Sequence, residues 1–427
     1  MSDMSGFVSA LDSEYIIDGV RMDLTPRQIL EEASGREVPS ATCEAEPIVD
    51  ESVDPAPDGK GFDSAKTEDY LKLVSPAARQ ARNIPLFCPE ESTRAEIALA
   101  LTEIIWKAGH FRLGDLILSV GWVWDSAPVG NMAAFYRSVE AACGYLDMLG
   151  VRIGSYAYSE KAGSRRIKVN VVADNVNAIV PDEDAEPADI AETIDRQILN
   201  TPEMNPPVPF CEFPFRTESP VLEKNRKCQV RVSDNAGNWL IYIPFDTCKF
   251  RLGGSLLAEK EGLAGGKAPE VMDSDYFMDC FEVVREFVED GVVVSGTATG
   301  HGGLICALDR MASRDSSGSA GIDADLSGLM QSYGETDMVK VLFGEVPGVV
   351  MEIRDIDFDY VDAEMLLQDV AYYPIGHPGK AGLRITRNGS GGMSRMNPLA
   401  LKLSASVPFL NLSSSSRTAI GMTMSLS

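Results

Sequence analysis

The residues of this chain that could do chemistry are mostly glycines at the starts of helices. Gly300-His301-Gly302-Gly303 makes a tight turn before an apolar run with Leu304, Leu308 and Met311 in helical register. Backbone N–H groups at a helix start carry partial positive charge and can hold a phosphate. Glycine also suits such a turn simply because it tolerates positive φ. Gly300, Gly302 and Gly303 are therefore candidate phosphate-binding residues with a purely structural alternative. Leu252-Gly253-Gly254-Ser255 is a second such word. Gly253, Gly254 and Ser255 read as the start of a helix, with phosphate binding as the alternative. Gly262 to Ala268 looks like a phosphate loop but is one residue short, and Ala268 stands where Ser or Thr would hold Mg²⁺. The three histidines, His110, His301 and His377, lack ligand-like spacing, so no metal site is expected, and a lone exposed His301 needs no function. Eight scattered cysteines without a CxxC pair suit reduced thiols inside a cell.

The elements that would position these groups follow from periodicity. Residues 91–108 read as a helix, with Ile97, Leu101, Ile104 and Ile105 on one face. A strand at 116–124, a helix at 131–149 and strands at 151–158 and 166–173 follow. Trp122 and Trp124 share one strand face, lining either a ligand or the core. Their succession with Val123 implies apolar groups on both sides of the sheet. The run 181–209 is acidic and proline-bounded and reads as an exposed insertion. A second series holds a strand at 239–243, a helix at 275–289, a strand at 292–295 and a helix at 304–312. Segments at 339–342 and 349–353, a helix near 363–369 and a strand near 383–386 complete the alternation. The fold class is therefore mixed α/β, or α+β, in two domains at 62–210 and 211–387.

Both ends differ from this middle. Residues 1–60 hold 14 acidic and 4 basic side chains. They read as a disordered acidic tail to 61 or as an arm that docks on a partner, with a short helix at 25–34 capped by Thr25 and Pro26. Residues 388–427 read as a Ser/Gly-rich tail. The whole chain of 427 residues has 38 Lys+Arg against 64 Asp+Glu, a net charge of −26. Such a surface repels nucleic acid and anionic membranes. No apolar run reaches the ~20 residues of a membrane span. A cytoplasmic location is expected.

The order of several words resembles formylglycinamidine ribonucleotide synthase, within the wider aminoimidazole ribonucleotide synthase superfamily. The carriers are Gly237-Asn238-Trp239-Leu240-Ile241-Tyr242-Ile243, Leu252 to Ser255, Ala268-Pro269-Glu270-Val271, the turn at Gly300 to Gly303, Leu342-Phe343-Gly344-Glu345 and Ile375-Gly376. Val151-Arg152-Ile153-Gly154-Ser155-Tyr156 resembles a strand of the family's first domain. The resemblance is to the second, C-terminal half of the synthase. It implies an N-domain whose sheet pairs with another into a barrel, packed beside an α/β C-domain. It implies ATP or ADP as ligand, Mg²⁺ held by carboxylates, and an ATP-dependent C–N ligase that makes an amidine.

The charge-handling positions depart from that pattern. Leu99, Ser119, Ala298 and His301 stand where the resemblance expects acids, and Glu345 is its best surviving acid. Mg²⁺ demands hard oxygen donors, so the isolated chain is expected to be inactive. Two functions follow. The chain is a partner-dependent half of, or a module related to, the synthase of purine biosynthesis. Alternatively it is a catalytically degenerate scaffold or nucleotide-binding interaction protein. The open sheet predicts a homodimer, or a heterodimer with a related synthase half, through the N-domain.

Overall fold

The structure, a computed structural model, describes residues 9–39, 46–54, 61–173, 226–263, 266–312, 321–380 and 382–386. The insertion expected at 181–209 and the tail expected at 388–427 lie outside the described residues.

The first described segment is folded, which corrects the expected disordered tail over 9–39 and 46–54. Strand β1 (Tyr15–Ile17) pairs antiparallel with β2 (Val20–Arg21) and parallel with β3 (Ile48–Asp50). The β1–β2 turn is Asp18-Gly19, both at positive φ, the sequence such two-residue turns favour. Helix α1 (Pro26–Ala33) is capped as expected: Gln28 N–H donates to Thr25 Oγ1 and Thr25 N–H to Gln28 Oε1. Leu11, Tyr15, Ile17 and Leu30 are sparse in an acidic sequence, yet all four are buried. Composition averaged over sixty residues hides a handful of inward-facing side chains. The described part of the arm packs on its own chain.

Helix α2 (Thr67–Val74) lies within the expected first domain, 62–210, but packs its Tyr70 and Val74 into the C-domain, with Tyr70 edge-on to Phe343 at 6.0 Å, which corrects that boundary. The chain then crosses over residues 75–88 to α3 (Pro89–Ile104), β4 (Leu116–Trp124), α4 (Asn131–Met148), β5 (Arg152–Glu160) and β6 (Arg165–Ala173). In this three-stranded sheet β4 is central, parallel to β5 and antiparallel to β6. Period-2 alternation sends Leu118, Val120, Trp122 and Trp124 inward and leaves Ile117 and Val123 half-buried on the outer face. Trp122 donates to Ser138 Oγ at 2.9 Å and Trp124 to the Asn131 carbonyl at 2.7 Å, with Phe135 against both rings. These tryptophans are core and line no ligand.

The C-domain contains β7 (Trp239–Pro244), α5 (Leu256–Lys260), α6 (Ser274–Glu289), β8 (Val293–Thr299), α7 (Gly303–Met311) and β9 (Gly321–Asp325). It continues with α8 (Ser327–Tyr333), α9 (Met338–Phe343), β10 (Gly348–Ile353), α10 (Phe358–Leu367), β11 (Tyr373–Gly379) and β12 (Gly382–Thr386). The sheet order is β12-β9-β11-β7-β10-β8, with only the β12–β9 pair parallel. Ile241, Ile243, Val349 and Met351 join one core, shared with α3, α4 and α6. Leu240, Tyr242 and Val350 join a second core beneath α7 and α9. Every residue of β10 is therefore buried. The chain is mixed α/β as expected; among the described residues the sheets have three, six and three strands and none closes into a barrel.

Candidate functional site

The glycine turns and Glu345 converge on one cleft between α3 and the C-domain. The crossing segment enters it, because α2 lies on one domain and α3 in the other. Arg82, on that segment, is the plug. Its side chain is only 9% exposed. Its Nη1 donates to Glu345 Oε2 at 2.7 Å and its Nη2 to the Gly254 carbonyl at 2.8 Å, and its Nε pairs with Glu259 at 3.1 Å.

Glu345 follows α9 and reaches two helix starts at once. Its Oε1 accepts from Gly302 N–H at 2.7 Å and from Leu256 N–H at 2.8 Å. These are amides that could otherwise face a phosphate, and here a carboxylate of the chain itself takes them. His301 completes the cluster, with Nε2 3.1 Å from Glu96 Oε1 and Nδ1 3.9 Å from Glu345 Oε2. Its side chain is 18% exposed, so the expectation of an exposed histidine is corrected.

Charge explains the ionisation. Burial pushes the Glu345 carboxyl up, but Arg82, His301 and the Gly302 N–H outweigh it and hold the group at about 2. Burial pushes His301 down, but Glu96 and Glu345 raise it to about 10. Burial opposes the charge of Arg82 as well, yet Glu345, Glu259 and Glu96 raise its pKa. His301 is thus an imidazolium at neutral pH, and its charge and that of Arg82 are met by three carboxylates, Glu345, Glu96 and Glu259, which leave the cluster one negative charge in excess.

The remaining candidates are committed to the scaffold. Gly303 N–H donates to the Gly300 carbonyl at 2.8 Å, and a Cβ at Gly303 would lie 2.5 Å from the Leu342 carbonyl oxygen. Gly253 N–H donates to the Lys267 carbonyl at 3.1 Å. Ser255 caps α5, accepting from Ala258 N–H at 3.2 Å. Both glycine words stand at helix starts. Leu99 packs over Gly300, whose Cβ would stand 2.6 Å from Leu99 Cδ1. Ala298 is buried in β8, and Ser119 lies outside the cleft on the N-domain sheet, accepting from Ser155 Oγ at 2.7 Å. The structure therefore brings together Gly254, Gly300, Gly302, Glu345, Leu99 and His301, and leaves Ser119 apart. Sequence reasoning missed Arg82, Glu96 and Glu259. Glu96 carries a usable signal, one turn before Leu99 on α3; Arg82 lies in a segment without periodicity.

The residual cavity measures about 50 Å³. That volume holds a few waters, against about 300 Å³ or more for a small-molecule site. The residues present therefore do not fit a nucleotide triphosphate, and with Leu99 over Gly300 they offer no oxygen cage for Mg²⁺. Among the described residues no cluster of three or more His, Cys, Asp or Glu is arranged to hold a metal ion. None of the described helices is long and apolar enough to cross a membrane.

No protein-family model matches the chain. Human phosphoribosylformylglycinamidine synthase is 24% identical over 314 residues, 71% of this chain and 20% of that protein. A probable chloroplastic/mitochondrial phosphoribosylformylglycinamidine synthase of Arabidopsis thaliana is 24% identical over 292 residues, 68% of this chain and 18% of that protein. The chain spans about a fifth of the length of these curated relatives. Among solved structures, Thermotoga maritima PurL complexed with FGAR gives a TM-score of 0.45 at 11% identity, covering 82% of this chain and 47% of that one. Escherichia coli HypE, a hydrogenase maturation protein, gives 0.41 at 13% identity, covering 88% and 98%. Over 68–71% of its length the chain is similar in sequence to these two synthases, which supports its membership of the formylglycinamidine ribonucleotide synthase and aminoimidazole ribonucleotide synthase-like superfamily.

Proposed function

We propose that this chain is a synthase-related module of purine biosynthesis that works with a partner and performs no nucleotide chemistry of its own. The observation that carries this reading is the Glu345 carboxylate on the Gly302 and Leu256 amides, neutralised by Arg82. An anion cradle filled from within has no vacancy for ATP or ADP. Catalysis of phosphoryl transfer rests on positioned charge and metal, and here the charge is spent on folding. The partner's place is the outer face of the β4–β5–β6 sheet. Ile117 and Val123 are half-buried there and Val172 is exposed, with none of the described residues completing their burial. A second copy or a related synthase half would close that face into a barrel. The chain acts in the cytoplasm on this reading, consistent with the six free cysteines among the described residues.

The test is phosphate release by the purified full chain with Mg²⁺, ATP, formylglycinamide ribonucleotide and ammonia, beside calorimetric titration with ADP and ATP. The expected result is no turnover and no binding tighter than about 1 mM. Turnover that follows the protein through purification overturns the reading. Light scattering on wild type and on an Ile117→Glu/Val123→Glu variant tests the partner face: wild type associates and the variant does not.

A further inference from the structure

Helix α10 is apolar on two opposite sides, yet only one of them is covered. Phe358, Val361 and Met365 face the core, where Trp239 packs on Phe358 at 4.9 Å. The opposite side carries Tyr360, Ala363 and Leu367, and Ile356 of the 3-10 turn that leads into the helix (Asp355–Asp357) continues the row, at intervals of four, three and four residues. On a helix that spacing draws one line. Ile356 is 85% exposed and Leu367 76%, and Tyr360 and the adjacent Leu366 are exposed as well. A single exposed leucine needs no explanation, but a row in helical register is a patch, and such patches mark interaction sites.

The rim of this row is acidic. Residues 354–369 contain six carboxylates and one cation, Arg354, which is paired with Asp357 at 2.6 Å. Helix α6 and its C-terminal residue add more: the Tyr360 hydroxyl lies 3.5 Å from Asp290 Oδ2, and Glu286 is close enough to raise the Tyr360 pKa. The charge selects among occupants. A second copy would set one acidic rim against another, and an anionic membrane would be repelled. A helix that carries apolar residues on one face and Lys or Arg beside them matches both features, seating anchors on the row and cations on the rim.

We propose that the outer face of α10 is a docking surface for a basic amphipathic helix of a partner protein, anchored on Ile356, Tyr360 and Leu367. This surface is separate from the cleft and from the N-domain sheet. The probe is a synthetic Leu/Lys amphipathic helix of about 14 residues, just over two heptads. It is measured by fluorescence anisotropy with the full chain at about 150 mM salt, where non-specific attraction to an acidic protein is screened. Trp239, the one tryptophan of four that is not fully buried, gives a second signal next to α10. The expected result is binding at least about tenfold tighter than that of a scrambled peptide of the same composition. Ile356→Ser/Leu367→Ser, a charge-neutral change at exposed positions, lowers affinity by about tenfold or more. Val129→Ser, an exposed apolar position at the start of α4, leaves it unchanged. Circular dichroism confirms that the variants fold. Equal binding of the scrambled peptide, undiminished binding by the double variant, or no binding overturns the proposal. So does a dimer that the double variant dissociates, since a second copy then occupies the face.

Discussion

Two carboxylates in this molecule do the same backbone work with different company. Asp50, on β3 of the N-terminal arm, accepts N–H bonds from Gly130, Met132 and Ala133 at 2.7, 2.8 and 2.9 Å and caps α4. Glu345 accepts from Gly302 and Leu256 at the starts of α7 and α5. Among the described residues Asp50 makes no ion pair, and its bonds are to the helix start. Glu345 faces Arg82 and His301, which in turn need Glu96 and Glu259. A cap needs no cation beside it. The cleft therefore contains more positive charge than capping explains, arranged as it would be around a larger anion and balanced by the chain's own acids. The comparison separates a helix cap from a binding cradle that has been closed.

The largest effect expected from this contrast belongs to Glu345→Ala. It leaves Arg82 with Glu259 and His301 with Glu96 as their remaining acids, and orphans two amides. Removing one partner of a buried ion pair costs about 3–5 kcal/mol, read as a lower denaturation midpoint in urea. The sharper part is rescue. Inorganic phosphate or sulfate at about 10 mM should stabilise the variant and not the wild type, because a ligand that binds only the folded state raises its stability. A variant indifferent to both anions would show that the cleft is an ordinary ion-pair cluster.

Asp50→Ala is the smaller counterpart. It removes an acceptor shared by three amides, without an unpaired cation left behind. Loss of an N-cap costs about 0.5–2 kcal/mol, and the several bonds of Asp50 place the expected loss near the top of that range. Phosphate should give no rescue here. Equal rescue of the two variants would erase the distinction between cap and cradle.

The sequence was most legible where one periodicity ran without interruption. Strand β4 matches its expected bounds, and α3, α4, α6 and α7 lie within one to four residues of theirs. It was least legible where local composition masked a tertiary fact. Strand β11, Tyr-Pro-Ile-Gly-His-Pro-Gly, is broken by residues that argue against a strand, and its register shifts between Pro374 and Gly376. The segment at 339–342 forms part of α9, started by Asp337 accepting from Val339 N–H at 2.9 Å. The N-terminal arm carried two signals, the Asp18-Gly19 hairpin turn and the box at Thr25, and its acidity obscured the first. In the cleft, the glycines and Glu345 could be found from their words. Arg82 could not, because its position depends on α2 and α3 lying on different domains, and no local pattern encodes that crossing.

The finest distinction between the two carboxylates is their dependence on pH. The imidazolium of His301 is faced by Glu96 and Glu345, with the Arg82 guanidinium on its other side and Glu259 beyond it. With a folded pKa of about 10 against 6.5 unfolded, the charged form is favoured by folding. Its contribution is complete below about pH 6.5 and falls away as pH rises towards 10, since the folded state then gives up the proton that the unfolded state has already lost. Glu345 has the opposite sign. Held at about 2 against 4.5, it contributes fully above about pH 4.5 and is lost on acidification towards 2. His301→Gln should therefore cost most near pH 6, and the gap from wild type should close as pH approaches 10. The difference between the two proteins cancels the titration of lysines, tyrosines and thiols common to both. Asp50→Ala should leave a gap that stays level from pH 6 to about 9, because Tyr15, the group whose alkaline pKa burial and then neighbours including Asp50 raise, keeps its proton throughout that range. A His301→Gln gap equally level over this range would mean that His301 is neutral in the folded protein, and that Arg82 alone neutralises the cradle.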